Sequence, residues 1–462
     1  MSRSPLYRDV AREQGFEPLK VEGDLPAGLS GTLYRNGPGL FGSFGRRYYH
    51  MFEGQGAVCA VRFGAGRALG AQRVVECAGL REERAAGRPL YDSAASRARR
   101  IANLLRGRER NSANVNVLAW QGRLFALRDV ARPIELSPET LETLGETDLD
   151  GVILRTFTAH PHFVAARRAT YGFGLRYGRQ SALDLYELPA RGCARLLGSL
   201  PIDALAVHDF AATDRHLVFF LGPAHLNVAG ALLGEPRPDR LVHWRPERGG
   251  EVIVVPIDEP ARAVRFPVEP FYVWHFANAF ERDRRIVVDF VRHPDLGQVL
   301  TFRDSAAAGG GLIDHERDGG ELTRATVDWR ARTIRFERVL DTTCEFPRVD
   351  SRGEGGARRY VWASTSQAGR FSILRCDLER GSAATWFACP GQHVSEPVFA
   401  PSPAGDGETD GWVLALVYDE PSQTSHVAVL DAAAPERGPL ARVHFERAVP
   451  LTLHGAFVAD AR

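Results

Sequence analysis

The sequence has 462 residues, of which 44% are hydrophobic and 25% charged, a composition typical of a globular protein with ample apolar material for a core. Its 58 Lys and Arg residues almost balance its 57 Asp and Glu residues, which argues against nucleic acid as a partner. The N-terminal segment lacks the apolar stretch of a signal peptide, and no apolar run approaches the roughly 18 residues of a membrane span. We therefore expect neither secretion by a signal peptide nor a membrane-spanning segment.

The six cysteines are scattered along the chain without a C-x-x-C pair. Their spacing predicts neither a zinc knuckle nor a redox dithiol. A reduced, cytoplasmic protein is the simplest interpretation.

Short runs of β-branched and aromatic residues, bounded by Gly, Pro or Asp, recur along the chain and are typical of strands. They occupy residues 123–130, 216–222, 284–291, 333–340, 359–366, 372–378, 412–419 and 425–432. This succession predicts an all-β fold, and at this length sheets arranged around an axis, as in a β-propeller, are favoured. No repeat of fixed period is visible, so internal homology does not support this prediction.

Two segments depart from the β pattern. In residues 93–110, Ile101, Leu104 and Leu105 recur at helical spacing on a basic background, which predicts an exposed helix. This helix either contacts anionic lipid headgroups or covers one end of the propeller in solvent. Residues 220–236 form either a loop at a tunnel mouth or a buried connection between sheets.

Four of the fourteen histidines stand at the edge of an apolar run, where a strand is expected to end. They are His160 in FTAHPHF, His208 in AVHDFAATD, His275 in FYVWHFANAFE and His454 in PLTLHGAF. Their irregular separations fit no local metal motif, so they can meet only if the fold brings them together. Neutral imidazole binds Fe, Zn, Cu and Ni, and the histidines alone do not identify the metal.

Two acidic residues lie in apolar surroundings that should hold them inside the protein, namely Glu345 in CEFPRVD and Glu396 in SEPVF. A metal-binding histidine needs its second ring nitrogen oriented, often by a carboxylate. A buried salt bridge is the alternative interpretation of each acid.

Several ordered motifs resemble those of the carotenoid cleavage oxygenase family. They are GTLYRNGPG at 31–39, YHMFEGQGAV at 49–58, AHP at 159–161, HDFAATD at 208–214, HFANAFE at 275–281, EFPRVD at 345–350, SEPVF at 395–399 and LHGAF at 453–457. Several motifs in the right order are much more specific than any one of them. The resemblance spans nearly the whole chain and implies one domain, residues 1–462, folded as a seven-bladed β-propeller with a cap of loops and short helices over a metal site.

The resemblance also implies one non-haem Fe(II) held by His160, His208, His275 and His454, with no further catalytic side chain. His162 and His216 lie at positions that the family does not use for iron. Glu345 and Glu396 match two of three glutamates that orient the ligands, as partners of His275 and His454.

The third orienting position departs from the family pattern. Asp129 stands where a glutamate is expected to orient His208. Aspartate is one methylene shorter, so a backbone placed for glutamate would leave a gap of roughly 1.5 Å, enough to break a direct hydrogen bond. A bridging water or a small backbone shift would close the gap.

The implied activity is cleavage of a carbon–carbon double bond by dioxygen to give two carbonyl products. The first expected substrate is a carotenoid or apocarotenoid, collected through an apolar tunnel mouth with contact to the membrane surface. Arg128, just before Asp129, favours a stilbene-like phenylpropanoid as an alternative, because a buried cation binds a phenolic hydroxyl; otherwise Arg128 points to solvent or pairs with Asp129. A retinoid ester isomerohydrolase and a non-catalytic binding scaffold, the latter suggested by Asp129, remain as further alternatives.

Overall fold

The chain is mostly β, as predicted, and all eight segments predicted from the sequence fall on strands. The structure, a computed structural model, describes residues 5–297 and 314–460. The predicted segment 333–340 lies within one long strand, Thr333–Arg348. Alternation of Val, Ile and Phe with polar residues therefore sufficed to locate strands, although not their ends.

Six sheets of four or more strands make up most of the described chain. We number these sheets first to sixth in the order in which most of their strands occur along the chain. In spatial order, the first contains Gln14–Pro18, Arg67–Val74, Gln55–Gly64, Gly31–Leu40 and His454–Ala459; the second contains Thr143–Glu146, Ile134–Leu136, Arg123–Leu127 and Asn116–Trp120; the third contains His162–Val164, Ala169–Arg176, Ser181–Pro189 and Arg195–Ile202. All pairings within them are antiparallel.

The fourth sheet contains Ala211–Ala212, His216–Leu221, Gly250–Pro256 and Val264–Val268; the fifth contains Tyr272–Arg282, Arg285–His293, Gly320–Asp328, Thr333–Arg348, Tyr360–Gln367, Arg370–Asp377 and Ser382–Phe387; the sixth contains Lys20–Gly23, Pro439–His444, Thr424–Asp431, Gly411–Asp419 and Gln392–Val394, with Val398–Pro401 also paired to Gly411–Asp419. Two-stranded pairs join Ala224–Leu226 to Val242–Trp244 and Gly42–Ser43 to Arg46–Arg47.

Consecutive sheets pack face to face through hydrophobic clusters. One cluster joins the third and fourth sheets, another the fourth and fifth, and others join the first to the second and the second to the third. The sixth sheet packs on the fifth on one side and on the first on the other. The interior strands are therefore buried on both faces, which explains runs such as RIVVDFV in which apolar residues face both ways.

The described helices are short. Their bounds are Ala78–Ala86 (α1), Arg97–Leu105 (α2), Val228–Leu232 (α3), Pro238–Leu241 (α4) and His315–Asp318 (α5). The helix predicted in residues 93–110 is α2, and residues 220–236 hold the end of His216–Leu221, the short strand Ala224–Leu226 and α3. Among the described residues, no helix is both long and apolar enough to cross a bilayer.

Candidate metal centre

Four sheets each bring one histidine to the same point. His454 begins the terminal strand of the first sheet, and His160 and His208 lie just before the terminal strands of the third and fourth sheets. His275 lies within the terminal strand of the fifth sheet. The edges of four sheets therefore converge here, which brings together residues that are far apart in the chain.

The four imidazoles form a tight group. One ring nitrogen from each lies within 4.8 Å of the others. The ring centroids of His160 and His208 are 4.3 Å apart, and those of His275 and His454 are 4.7 Å apart. Three of the histidines are buried, and His208 is partly buried. Four nitrogen donors at this spacing suit a single transition-metal ion.

Carboxylates hold the Nδ1 atom of three of these rings. The distances are 2.7 Å from His208 to Asp129, 2.5 Å from His275 to Glu345 and 2.9 Å from His454 to Glu396. A carboxylate that accepts the proton of Nδ1 leaves Nε2 as the unprotonated, metal-binding nitrogen. The Nε2 atoms of His160 and His275 are buried and have no hydrogen-bond partner among the described residues. Buried polar atoms rarely lack a partner, and a bound metal would supply one.

Asp129 reaches His208 directly, so the gap considered for the shorter side chain does not occur. Its second carboxylate oxygen accepts the backbone N–H of Ala159 at 3.2 Å, beside the candidate ligand His160. The strand Arg123–Leu127 ends just before Asp129, and Val130 takes a positive φ of 54°. A β-branched residue seldom adopts that conformation, which marks a sharp local turn in the backbone that presents Asp129.

Glu345 is shared between two histidines. Besides His275, it accepts a hydrogen bond from Nε2 of buried His293 at 2.8 Å. Burial alone would raise the pKa of Glu345, but the two imidazoles hold this pKa well below its usual range. The carboxylate is therefore ionised and fixed on both sides.

Glu396 is held by arginines. Arg35, which is fully buried, donates to it at 2.6 Å, and Arg348 lies 3.0 Å from its other oxygen. Burial would raise the pKa of Glu396, but Arg348, His454 and Arg35 together keep it well below its usual range. The alternative of a buried salt bridge and the role of orienting a histidine are thus both present in this one residue.

A β-bulge aims His275 at the centre. Between Val273 and Phe276, its strand has one more residue than the facing part of the strand Arg285–His293. The prediction that each histidine stands at a strand end is therefore wrong for His275, which lies inside an 11-residue strand. A bulge re-aims a side chain without ending the strand, and the sequence does not reveal it.

An apolar cavity of about 220 Å³ adjoins the histidines. Its lining includes His208, His275 and His454 together with Phe52, Val115, Val130, Trp274, Phe346 and Leu453. Arg128 also borders the cavity, and its Nη1 donates to the backbone oxygen of Arg110 at 2.8 Å. Among the described contacts Arg128 makes no ion pair with Asp129, and its half-buried side chain lies at the cavity wall.

The two nearby histidines have other partners. His162 lies between Glu354 and Asp209, whose carboxylates raise its pKa to about 10 against the opposing effect of burial. His216 contacts Glu281 at 2.8 Å. Both imidazoles are engaged with carboxylates and are not in the group of four.

Sequence reasoning missed three residues that support the carboxylates, namely Arg35, His293 and Arg348. Arg35 and Arg348 lie within the motifs GTLYRNGPG and EFPRVD, so a search of those motifs for cations would have found them. His293, at the end of its strand, carries no such signal.

The chain matches known proteins in sequence and in fold over almost its whole length. The family model described as retinal pigment epithelial membrane protein matches residues 7–459. Apocarotenoid-15,15'-oxygenase from Synechocystis is 32% identical over 98% of this chain and 95% of that protein, and lignostilbene-alpha,beta-dioxygenase isozyme III from Sphingomonas paucimobilis is 27% identical over 99% and 96%. The crystal structure of cobalt-substituted Synechocystis ACO superposes with a TM-score of 0.87 at 31% identity, covering 98% of each chain.

The match to the family model covers almost the whole chain, and the Synechocystis relative is 32% identical over almost the whole length of both proteins. The chain therefore belongs to the carotenoid cleavage oxygenase family.

Proposed function

We propose that the protein is a non-haem iron dioxygenase that cleaves a carbon–carbon double bond of a carotenoid or apocarotenoid. The observation that carries this proposal is the group of four imidazoles beside an apolar cavity. In the reaction the double bond breaks, and each of its two carbons takes one oxygen atom from dioxygen to become a carbonyl. Relatives named as apocarotenoid and lignostilbene oxygenases support this class of chemistry.

His160, His208, His275 and His454 would hold Fe(II) through their Nε2 atoms. The buried Nε2 atoms without a partner fit such an ion, and a relative solved in cobalt-substituted form supports a transition metal as the bound ion. Four neutral ligands leave the ion its full positive charge, and when bound it would activate dioxygen. The carboxylates Asp129, Glu345 and Glu396 orient three of the imidazoles and keep the proton on Nδ1.

The cavity walls bind and align the substrate. Trp274, Phe346 and Leu453 provide an apolar surface beside the histidines, which suits a polyene and excludes water. No side chain is required as a general acid or base, because alignment of the double bond is the task that remains for the protein.

A stilbene-like phenylpropanoid is the second candidate substrate, and Arg128 is the observation that favours it. A guanidinium at the cavity wall can donate to a phenolic oxygen with its remaining N–H groups. The lignostilbene dioxygenase relative supports this candidate. The alternative of a non-catalytic scaffold rested on Asp129, and it is no longer favoured because Asp129 contacts His208 directly.

For the fold we propose seven blades in a single domain, residues 1–462. The seven strands of the fifth sheet form two four-stranded units that share Thr333–Arg348, because this strand pairs with Gly320–Asp328 through most of its length and with Tyr360–Gln367 only near its end. These two halves also pack on each other through their own cluster. Seven units, each packed on the next and the last on the first, support a closed propeller.

We also propose that α2 and α3 contact a membrane surface with anionic headgroups. Arg97 and Arg100 of α2 donate to the backbone after α3, so the two helices are neighbours. They expose Leu104, Leu105, Val228, Leu232 and Leu233 beside a basic face. Apolar residues ringed by cations are typical of interfacial helices. Flotation with anionic vesicles should recover the wild type but not a Leu105→Ser/Leu232→Ser variant.

The test of the enzymatic proposal is anaerobic iron loading followed by oxygen uptake and product mass analysis with a carotenoid, an apocarotenoid and a hydroxystilbene. We expect one equivalent of iron and two aldehydes from a polyene. The His275→Ala variant should lose iron, whereas His426→Ala, which removes a buried imidazole remote from the group of four, should retain it. Cleavage of the hydroxystilbene alone would select the second substrate, and absence of both iron and oxygen uptake would exclude the enzyme.

A further inference from the structure

A second cavity shares part of its wall, including the ring of Phe346, with the apolar cavity beside the histidines, here called the metal-side cavity. The second cavity, here the rear chamber, has a volume of about 60 Å³. It is lined by Leu6, Leu416, Val449, Leu451 and other residues, and it shares Phe346 and Leu453 with the metal-side cavity. Phe346 also borders a small polar recess beside His160. Its side chain is only half-buried although it lies inside the protein, because it faces these cavities.

The backbone at Phe346 is strained in a way that presents the ring. Phe346 lies where the register between its strand and Tyr360–Gln367 gains one residue, between Glu345 and Arg348. Its φ is 56°, a left-handed conformation that bulky residues rarely adopt. Its N–H donates to Glu345 at 2.6 Å, and Pro347 follows. Glycine would fit this backbone without strain, so the ring itself is the feature that needs an explanation.

The ring lies against the candidate metal ligands. Its centroid is 5.1 Å from that of His275 at an interplanar angle of 33°, and 5.3 Å from that of His454. On the other side it meets His315 edge-on at 6.0 Å. The ring is thus held between the metal-side cavity and the rear chamber, next to the point where a double bond would react.

We infer that Phe346 is a specificity-determining residue, a stop that fixes how far a linear substrate passes the histidines and hence which double bond is cleaved. The inference rests on the proposed function and deepens it. With the ring in place the substrate ends at Phe346. Without it the substrate advances into the rear chamber, and a neighbouring double bond of the polyene comes to lie beside the histidines.

The experiment compares products from one long-chain apocarotenal cleaved by the wild type and by Phe346→Ala and Phe346→Gly. Both variants should form a new pair of products, shifted by one –CH=CH– unit along the polyene, about tenfold or more above its level in the wild type. Mass analysis of both carbonyl products gives the position of cleavage. Because glycine suits the positive φ, Phe346→Gly should also unfold at a higher temperature than Phe346→Ala.

Matched variants test the steric origin of the shift. Phe346→Leu retains most of the bulk and should keep the wild-type products. Adding Leu451→Trp to Phe346→Ala refills the rear chamber and should return cleavage to the wild-type bond. Phe346→Trp should shift cleavage the opposite way, and it decides the question if the two small variants do not fold.

Variants that bind iron fully, yet all give the wild-type products, would overturn the inference while leaving the proposed function intact. A wild-type protein that cleaves no polyene would instead overturn the proposed function. Iron content and circular dichroism of each variant separate a change in specificity from a loss of the site.

Discussion

The candidate metal centre has two differently built sides. On one side, Glu396 orients His454 and is itself held by two arginines, and its side chain is 2% exposed. On the other side, Asp129 orients His208, its second oxygen is held by one backbone N–H, and its side chain is 28% exposed. The arginines around Glu396 constrain both the length and the charge of this acid. At Asp129, which a backbone N–H holds, a local turn of the backbone accommodates the shorter side chain.

The largest effect is expected from Glu396→Gln. The change leaves buried Arg35 without its counter-charge, which typically costs about 3–5 kcal/mol of unfolding free energy. Urea unfolding and iron analysis measure it. A loss below about 1 kcal/mol, typical of an exposed pair, would show that the arginines do not depend on Glu396.

Asp129→Asn should affect the metal more than the fold. The amide still fills the space but accepts the Nδ1 proton of His208 poorly, so iron affinity should fall about 10–100-fold. Because Asp129 is partly exposed, the unfolding free energy should change by less than about 1 kcal/mol. Competition with a chelator measures affinity. A stability loss equal to that of Glu396→Gln would remove the contrast between the two sides.

His293→Gln tests Glu345, the third orienting acid, for which we expect an effect between those of the changes at Glu396 and Asp129. Glu345 would lose one of its two imidazole partners, at a cost of about 1–2 kcal/mol of unfolding free energy. His275 retains its own bond to Glu345, so iron should still bind. Chemical denaturation and iron content check this result, and complete iron loss would assign His293 a role beyond supporting Glu345.

Asp129→Glu should have the smallest effect. The direct contact to His208 already exists, so restoring the longer family residue should change iron affinity by less than about threefold, well under the effect of removing an orienting acid. The same chelator competition measures it. A gain of tenfold or more would show that aspartate weakens the centre despite its contact.

Much of the candidate site was predictable from local motifs. The four histidines, Glu345 and Glu396 were selected from short motifs; the structure groups the histidines and places Glu345 against His275 and Glu396 against His454. The bulges that aim His275 and Phe346 were not predictable, because a one-residue shift in register depends on the neighbouring strand. The outcome at Asp129 also escaped prediction, since it depends on a local backbone turn at Val130.

By itself the sequence determined the strands, through short-range alternation of apolar and polar residues, and the identity of the candidate ligands, through ordered motifs. Only the tertiary structure decided that Asp129 reaches His208, that Arg35 and Arg348 share Glu396, and that Phe346 lines two cavities. The reason is physical. Alternation is a property of neighbouring residues, whereas hydrogen-bond distances and cavity walls depend on how separate sheets pack against one another.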